Sequence, residues 1–193
     1  MELKLILGPM KSGKSFELIN FFAPLRYTNT PFGLFQSARN VRDASIQSRN
    51  GVNLDAIKIH SLRDILQKDY TVVGIDEVHM FPESDVEVVV ELLRRGTKVV
   101  ISGLDTDYRG KLFEVVTKLL ELGPNEVHYK RAACENCKKF DAIYTQVYRE
   151  AVPLTDGMPS VIPEDGTFTY KPMCRDCFVS PTSQLVLKLA NIN

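Results

Sequence analysis

The chain has no excess of charge of either sign: 24 Lys and Arg residues balance 24 Asp and Glu residues in a length of 193. A protein whose main work is gripping nucleic-acid phosphates needs a basic excess to displace counterions, so nucleic acid is not expected as a partner. Long hydrophobic runs are also missing. Stretches such as Leu5-Ile6-Leu7 and Val88-Val89-Val90 fall far short of the roughly 18 residues that cross a membrane, so no membrane partner is expected. The apolar N-terminus carries no positive leader and no small-residue cleavage site, and it runs straight into a glycine motif. The expected location is cytoplasmic. There is no internal repeat and no low-complexity segment.

What is present is ordinary for a globular protein, with 44% hydrophobic and 25% charged residues. The length suits one domain, or one domain with a small appendage. Such a chain buries about 70% of its unfolded surface and needs no disulfide staples. Five branched, apolar runs read as buried parallel strands: residues 3–7, 32–37, 56–59, 70–75 and 98–104. Helical pattern lies between them. Residues 14–22 place Phe16, Ile19 and Phe22 on one face, Ser61 and Asp64 resemble a capping box opening a helix over 62–67, and residues 85–95 end helically at Arg94-Arg95-Gly96. Alternating strands and helices imply an α/β fold with a parallel sheet, which binds ligands at the C-terminal ends of its strands.

The pattern changes after Gly123-Pro124. Short candidate strands at 127–131, 143–148 and 168–170, separated by prolines, suggest a second, smaller unit. The expected division is 1–125 and 126–193.

Gly8-Pro9-Met10-Lys11-Ser12-Gly13-Lys14-Ser15 fits the pattern of a phosphate-binding P-loop and lies between a candidate strand and a candidate helix. Such a loop turns backbone N–H groups toward phosphates, with the lysine reaching the β- and γ-phosphates and the final hydroxyl meeting Mg²⁺. That points to ATP and Mg²⁺, with Lys14 and Ser15 in those roles. A second element, Val72-Val73-Gly74-Ile75-Asp76-Glu77, ends a hydrophobic strand in two carboxylates. Asp76 is placed to hold the Mg²⁺ shell and Glu77 to act as a base or orienter.

All four cysteines fall into two pairs, Cys134-x-x-Cys137 and Cys174-x-x-Cys177. Two such pairs supply four thiolates for a tetrahedral, structural Zn²⁺ site. Disulfides do not suit a cytoplasmic chain, and a redox pair would not be doubled.

The segments GPMKSGKS, IDEVHMF and SGLDTDYRGKLF, with the paired cysteines, resemble the type II thymidine kinases over residues 3–177. The resemblance implies a RecA-like P-loop NTPase core, plus a small C-terminal zinc-binding domain with a lasso loop between the cysteine pairs. It implies ATP-dependent phosphorylation of thymidine at the 5′-OH to give dTMP and ADP. Glu77 would then take the 5′-OH proton, and Met10, Leu104, Tyr108, Phe113, Val161 and Tyr170 would contact the nucleoside. It further implies a homotetramer and dTTP as a feedback inhibitor. His79 and Met80 depart from the family's Gln and Phe, and Pro163-Glu164 replaces its Gly-Gly. Arg149 is the expected trypsin site of a lasso with little core of its own. Two rival readings are a P-loop ATPase whose zinc ribbon acts on nucleic acid, and a nucleotide-binding regulator without turnover.

Overall fold

Residues 2–7 alternate Leu3, Leu5 and Leu7 with Lys4 and Ile6, and a strand with apolar groups on both faces belongs inside a sheet covered on both sides. The computed structural model, which describes residues 2–40, 46–47, 53–162 and 166–180, places it there. In chain order the elements are β1 (Glu2–Leu7), α1 (Lys14–Phe22), β2 (Phe32–Ser37), β3 (Ile46–Gln47), β4 (Asn53–Leu54), β5 (Ile57–Ile59) and β6 (Val72–Asp76). They continue with α2 (Val86–Arg94), β7 (Lys98–Gly103), α3 (Glu114–Glu121), β8 (Glu126–Tyr129), β9 (Tyr144–Arg149), β10 (Val152–Pro153) and β11 (Phe168–Met173).

Six strands form one sheet in the order β5-β2-β6-β7-β1-β8, and every pairing in it is parallel. Alternate residues serve opposite faces. On one face Ile6, Leu34, Val72 and Val100 pack with Leu18, Ile19 and Phe22 of α1. On the other, Leu5, Val73, Ile75, Val99 and Ile101 join a larger core with Val89 and Leu92 of α2 and Val116 and Leu119 of α3. A Cβ at Gly74 would come within 2.7 Å of the Phe22 ring, so β6 carries glycine where α1 presses closest. Because β7 lies between β1 and β6, the loop after β1 and the acids ending β6 stand at one sheet edge, one strand apart.

Each of the five expected core strands is present, shifted by a residue or two at its ends. The helix over 85–95 is α2, closed by Gly96 at φ 85°, with Thr97 N–H donating to the Leu92 carbonyl at 3.0 Å and Gly96 N–H to the Leu93 carbonyl at 2.9 Å. Residues 62–67 form a 3-10 helix. Ser61 Oγ accepts from Arg63 N–H as a cap should, but the reciprocal carboxylate is Asp85, which accepts from Leu62 N–H at 2.7 Å and from Ser61 Oγ at 3.2 Å.

Residues 126–129 differ more. Read as the opening strand of the smaller unit, they instead pair in parallel with β1, Lys4↔Glu126 through Leu7↔Tyr129, and complete the edge of the main sheet. The smaller sheet is antiparallel, β10-β9-β11, with Phe168 opposite Arg149 and Met173 opposite Tyr144. Ala132, Cys134, Ala142, Met173, Cys174 and Phe178 form its own core. The strands expected at 143–148 and 168–170 are β9 and β11, and they pair with each other within the span between the cysteine pairs. Among the described residues no helix is long and apolar enough to cross a membrane.

Candidate active site

The phosphate loop turns where its sequence demands. Gly8 has φ 141°, and a Cβ there would stand 2.5 Å from the Lys130 carbonyl oxygen, so only glycine fits. Lys11 and Gly13 also have positive φ, 63° and 83°, and Lys14 and Ser15 open α1. Ser12 is buried with no hydrogen-bond partner for its hydroxyl, an orphaned polar atom of the kind an anion in the loop would satisfy. Lys14 is buried and donates from Nζ to the Pro9 carbonyl at 2.7 Å. Burial lowers its pKa, against the charges of Glu77, Asp76 and Asp105, which favour the ammonium. Pro9, Met10 and Lys11 bridge these turning points; Lys11 pairs with Glu135 of the first cysteine turn.

Asp76 ends β6 only 2% exposed. Ser102 at the end of β7 donates to its Oδ1, and Ser15 Oγ lies 3.5 Å from the same oxygen. Burial, then the neighbouring Glu77 charge, push the Asp76 pKa up. Glu77 follows in the left-handed region, φ 53° and ψ 45°, a strained conformation for a non-glycine residue. With Ser15, these carboxylates offer hard oxygen ligands suited to Mg²⁺.

His79 lies beyond the acids, buried against the Phe113 ring at 5.1 Å between centroids. Burial, then the Lys14 charge, drive its pKa down to about 3, so the imidazole is neutral. Its Nδ1 is 3.3 Å from Glu77 Oε2 and accepts from Leu104 N–H at 3.3 Å. The His79–Glu77 contact is thus no ion pair.

Beside these groups is a cleft partly open to solvent. Five residues singled out in the sequence line it together: Leu104, Tyr108, Phe113, Val161 and Tyr170. Met10, expected with them, is not among the lining residues. Thr145 is, and nothing in its local sequence marked it: it sits on β9 and accepts from Met10 N–H at 3.0 Å. Tyr108 is 2% exposed, and its hydroxyl donates to the Met158 carbonyl at 2.7 Å and accepts from Met158 N–H at 3.1 Å. Arg109, held by Asp107, donates to Ser160 Oγ at 2.8 Å. Tyr170 donates to the Ile162 carbonyl at 3.3 Å. These bonds hold residues 158–162 over the cleft. Pro163 and Glu164 lie outside the described residues.

The four cysteine sulfurs lie within 4.8 Å of one another. Cys137 Sγ and Cys174 Sγ are 3.7 Å apart, far beyond a disulfide bond and close to the edge of about 3.8 Å of a tetrahedron with metal–sulfur bonds of about 2.3 Å. Burial, followed by hydrogen bonding with the other thiols, pushes Cys174 up to about 12 against a backbone N–H from Cys177. Cys134 falls to about 6 despite desolvation, because backbone N–H groups of Cys174, Cys137 and Asn136 point at its sulfur. A metal cation favours thiolates throughout such a cluster, and the donor set fits one.

A loop built for phosphates, with carboxylates between it and a largely apolar cleft, defines a P-loop protein that acts on nucleotides beside a second ligand. The family model for thymidine kinase matches residues 1–178. The thymidine kinase of Chloroflexus aurantiacus is 31% identical over 183 residues, covering 91% of this chain and 93% of that one. That of Mycoplasma mycoides subsp. mycoides SC is 32% identical over 193, covering 95% and 91%. The chain belongs to the thymidine kinase family.

Proposed function

We propose that the chain transfers the γ-phosphoryl group of ATP to the 5′-OH of thymidine, giving dTMP and ADP. The observation that carries this reading is the convergence of Leu104, Tyr108, Phe113, Val161 and Tyr170 on one cleft next to the acids that end β6. Their apolar and aromatic faces suit a flat pyrimidine, and the lasso backbone over them excludes water that would otherwise take the phosphoryl group.

In the transfer a bond forms between the nucleoside 5′-oxygen and the γ-phosphorus, and the bond from that phosphorus to the β,γ-bridging oxygen breaks. Glu77 accepts the 5′-OH proton. Backbone N–H groups of residues 11–15 hold the phosphates, and the buried Lys14 ammonium stabilises charge on the transferring group. Ser15 and Asp76 would hold Mg²⁺, which when bound neutralises the β- and γ-phosphate oxygens. Cys134, Cys137, Cys174 and Cys177 would hold Zn²⁺ as a structural ion, since four thiolates leave no ligand position open. A cytoplasmic location, a four-chain assembly and inhibition by dTTP belong to the same reading.

Incubating the protein with ATP, Mg²⁺ and each of the four deoxynucleosides tests it. Thymidine monophosphate should form fastest, and equal or absent product with all four contradicts the assignment.

A further inference from the structure

Most polar side-chain atoms lining the cleft already have work within the protein. The Tyr108 hydroxyl is engaged both ways with Met158, and the Asp107 carboxylate accepts from Arg109 and from the Lys111 N–H. Thr145 Oγ1 accepts from Met10, and His79 Nδ1 accepts from Leu104. Thr106 is different. It lines the same cleft, is 9% exposed, and its hydroxyl has no hydrogen-bond partner.

Nor does the fold need that hydroxyl. The backbone around it is fixed by other bonds: Asp107 N–H to the Lys111 carbonyl at 2.8 Å, Phe113 N–H to the Asp105 carbonyl at 3.1 Å, and a bridge pairing Thr106 with Leu112. These hold residues 105–113 as a closed loop and set the direction of the Thr106 side chain. Valine would fill the same volume without leaving a buried polar atom unpaired, and buried hydroxyls are nearly always paired.

We propose that Thr106 is a further substrate-contacting residue, whose hydroxyl forms a hydrogen bond to a polar group of the nucleoside in the cleft. A hydroxyl both donates and accepts, so it can meet a ring carbonyl or an N–H. The proposal rests on the thymidine reading given above. It makes Thr106 a residue that loses little when the cleft is filled and lowers stability when the cleft is empty, the reverse of a structural threonine.

The test uses the full-length protein and the variants Thr106→Val and Thr106→Ser, each melted with and without thymidine and titrated with thymidine by calorimetry. Without nucleoside, T106V should melt at or above the parent temperature, because an unpaired hydroxyl has been removed. Its Kd for thymidine should rise roughly 3–10-fold, the range for one neutral hydrogen bond, while T106S stays within about twofold of the parent. Unchanged thymidine affinity in T106V overturns the proposal. So does a lower melting temperature of unliganded T106V, which would mark the hydroxyl as structural. If the parent itself neither binds nor phosphorylates thymidine, the functional reading fails first and visibly, before any variant is compared.

Discussion

Met10 in the phosphate loop donates its backbone N–H to Thr145 Oγ1 on β9, a residue 135 positions away, at 3.0 Å. Lys11 and Glu135 pair across the same join. The cysteine-held unit therefore supports the phosphate loop as well as covering the cleft, and damage to one should be felt in the other.

Chelation of the metal, or Cys137→Ser, tests that link. Elemental analysis should find about one zinc per chain before treatment and little after. With the tetrahedron lost, the melting temperature should fall and ATP affinity should weaken several-fold, because the Thr145 support moves with its sheet. Full stability and full ATP affinity in the metal-free protein would refute the coupling.

Glu77→Gln keeps the shape of the side chain and removes its capacity to accept a proton. Turnover should drop by roughly 10²–10⁴-fold with ATP binding nearly intact. Lys14→Ala should instead weaken both binding and rate, since its charge acts on bound phosphates as well as on the transition state. Parental turnover in E77Q removes Glu77 from the role of base.

The parts of this site that were legible in the sequence are those whose chemistry is local. A backbone that approaches an anion needs particular residues at fixed spacing, as Gly8 to Ser15 have, and four thiolates that could hold one metal need the spacing of the two cysteine pairs. Thr145 was illegible for the opposite reason: its role depends on a partner from the other end of the chain. The same holds for β8, whose brief run after Gly123-Pro124 looks like the start of a new unit until β1 is seen alongside it. Helix α3 is too short for its buried face, Val115, Val116 and Leu119, to stand out as a periodic pattern. Arg149 lies one residue beyond the strand expected at 143–148, where the local pattern reads as loop. It ends β9, paired with Val152 on one side and Phe168 on the other, so trypsin should cut there slowly even without nucleoside.

Tyr108→Phe isolates the tie between the core and the lasso. The substitution deletes two hydrogen bonds to Met158 while keeping the ring. The KM for thymidine should rise about 3–10-fold, since residues 158–162 would be held less often over the cleft. A KM equal to the parental value would mean that the tie does not contribute to nucleoside binding.

Glu17 on α1 gathers Lys130 at 2.9 Å, Lys4 at 3.3 Å and His128 at 2.5 Å, clamping the helix behind the phosphate loop to β1 and β8. Against the desolvation of partial burial, hydrogen bonds from Lys130, His128 and Lys4 bring its pKa from 4.5 down to about 2. The stabilisation is therefore present above pH 4.5 and lost as pH falls toward 2. Glu17→Gln should lower unfolding free energy at pH 7 by about 1 kcal/mol after allowance for solvent screening. Urea denaturation across that range should show parent and variant converging in acid; a gap that stays constant with pH would contradict the account.

In the proposed reaction the phosphoryl group leaving ATP at the loop arrives on a nucleoside in the cleft. ATP labelled at the γ-phosphorus, incubated with thymidine, Mg²⁺ and the protein, measures this directly. Label should appear in dTMP, one for each ADP formed, with little free phosphate and no dependence on added DNA. Label released as inorganic phosphate at a rate indifferent to thymidine would contradict it, and stimulation of that release by DNA would point instead to a nucleic-acid ATPase.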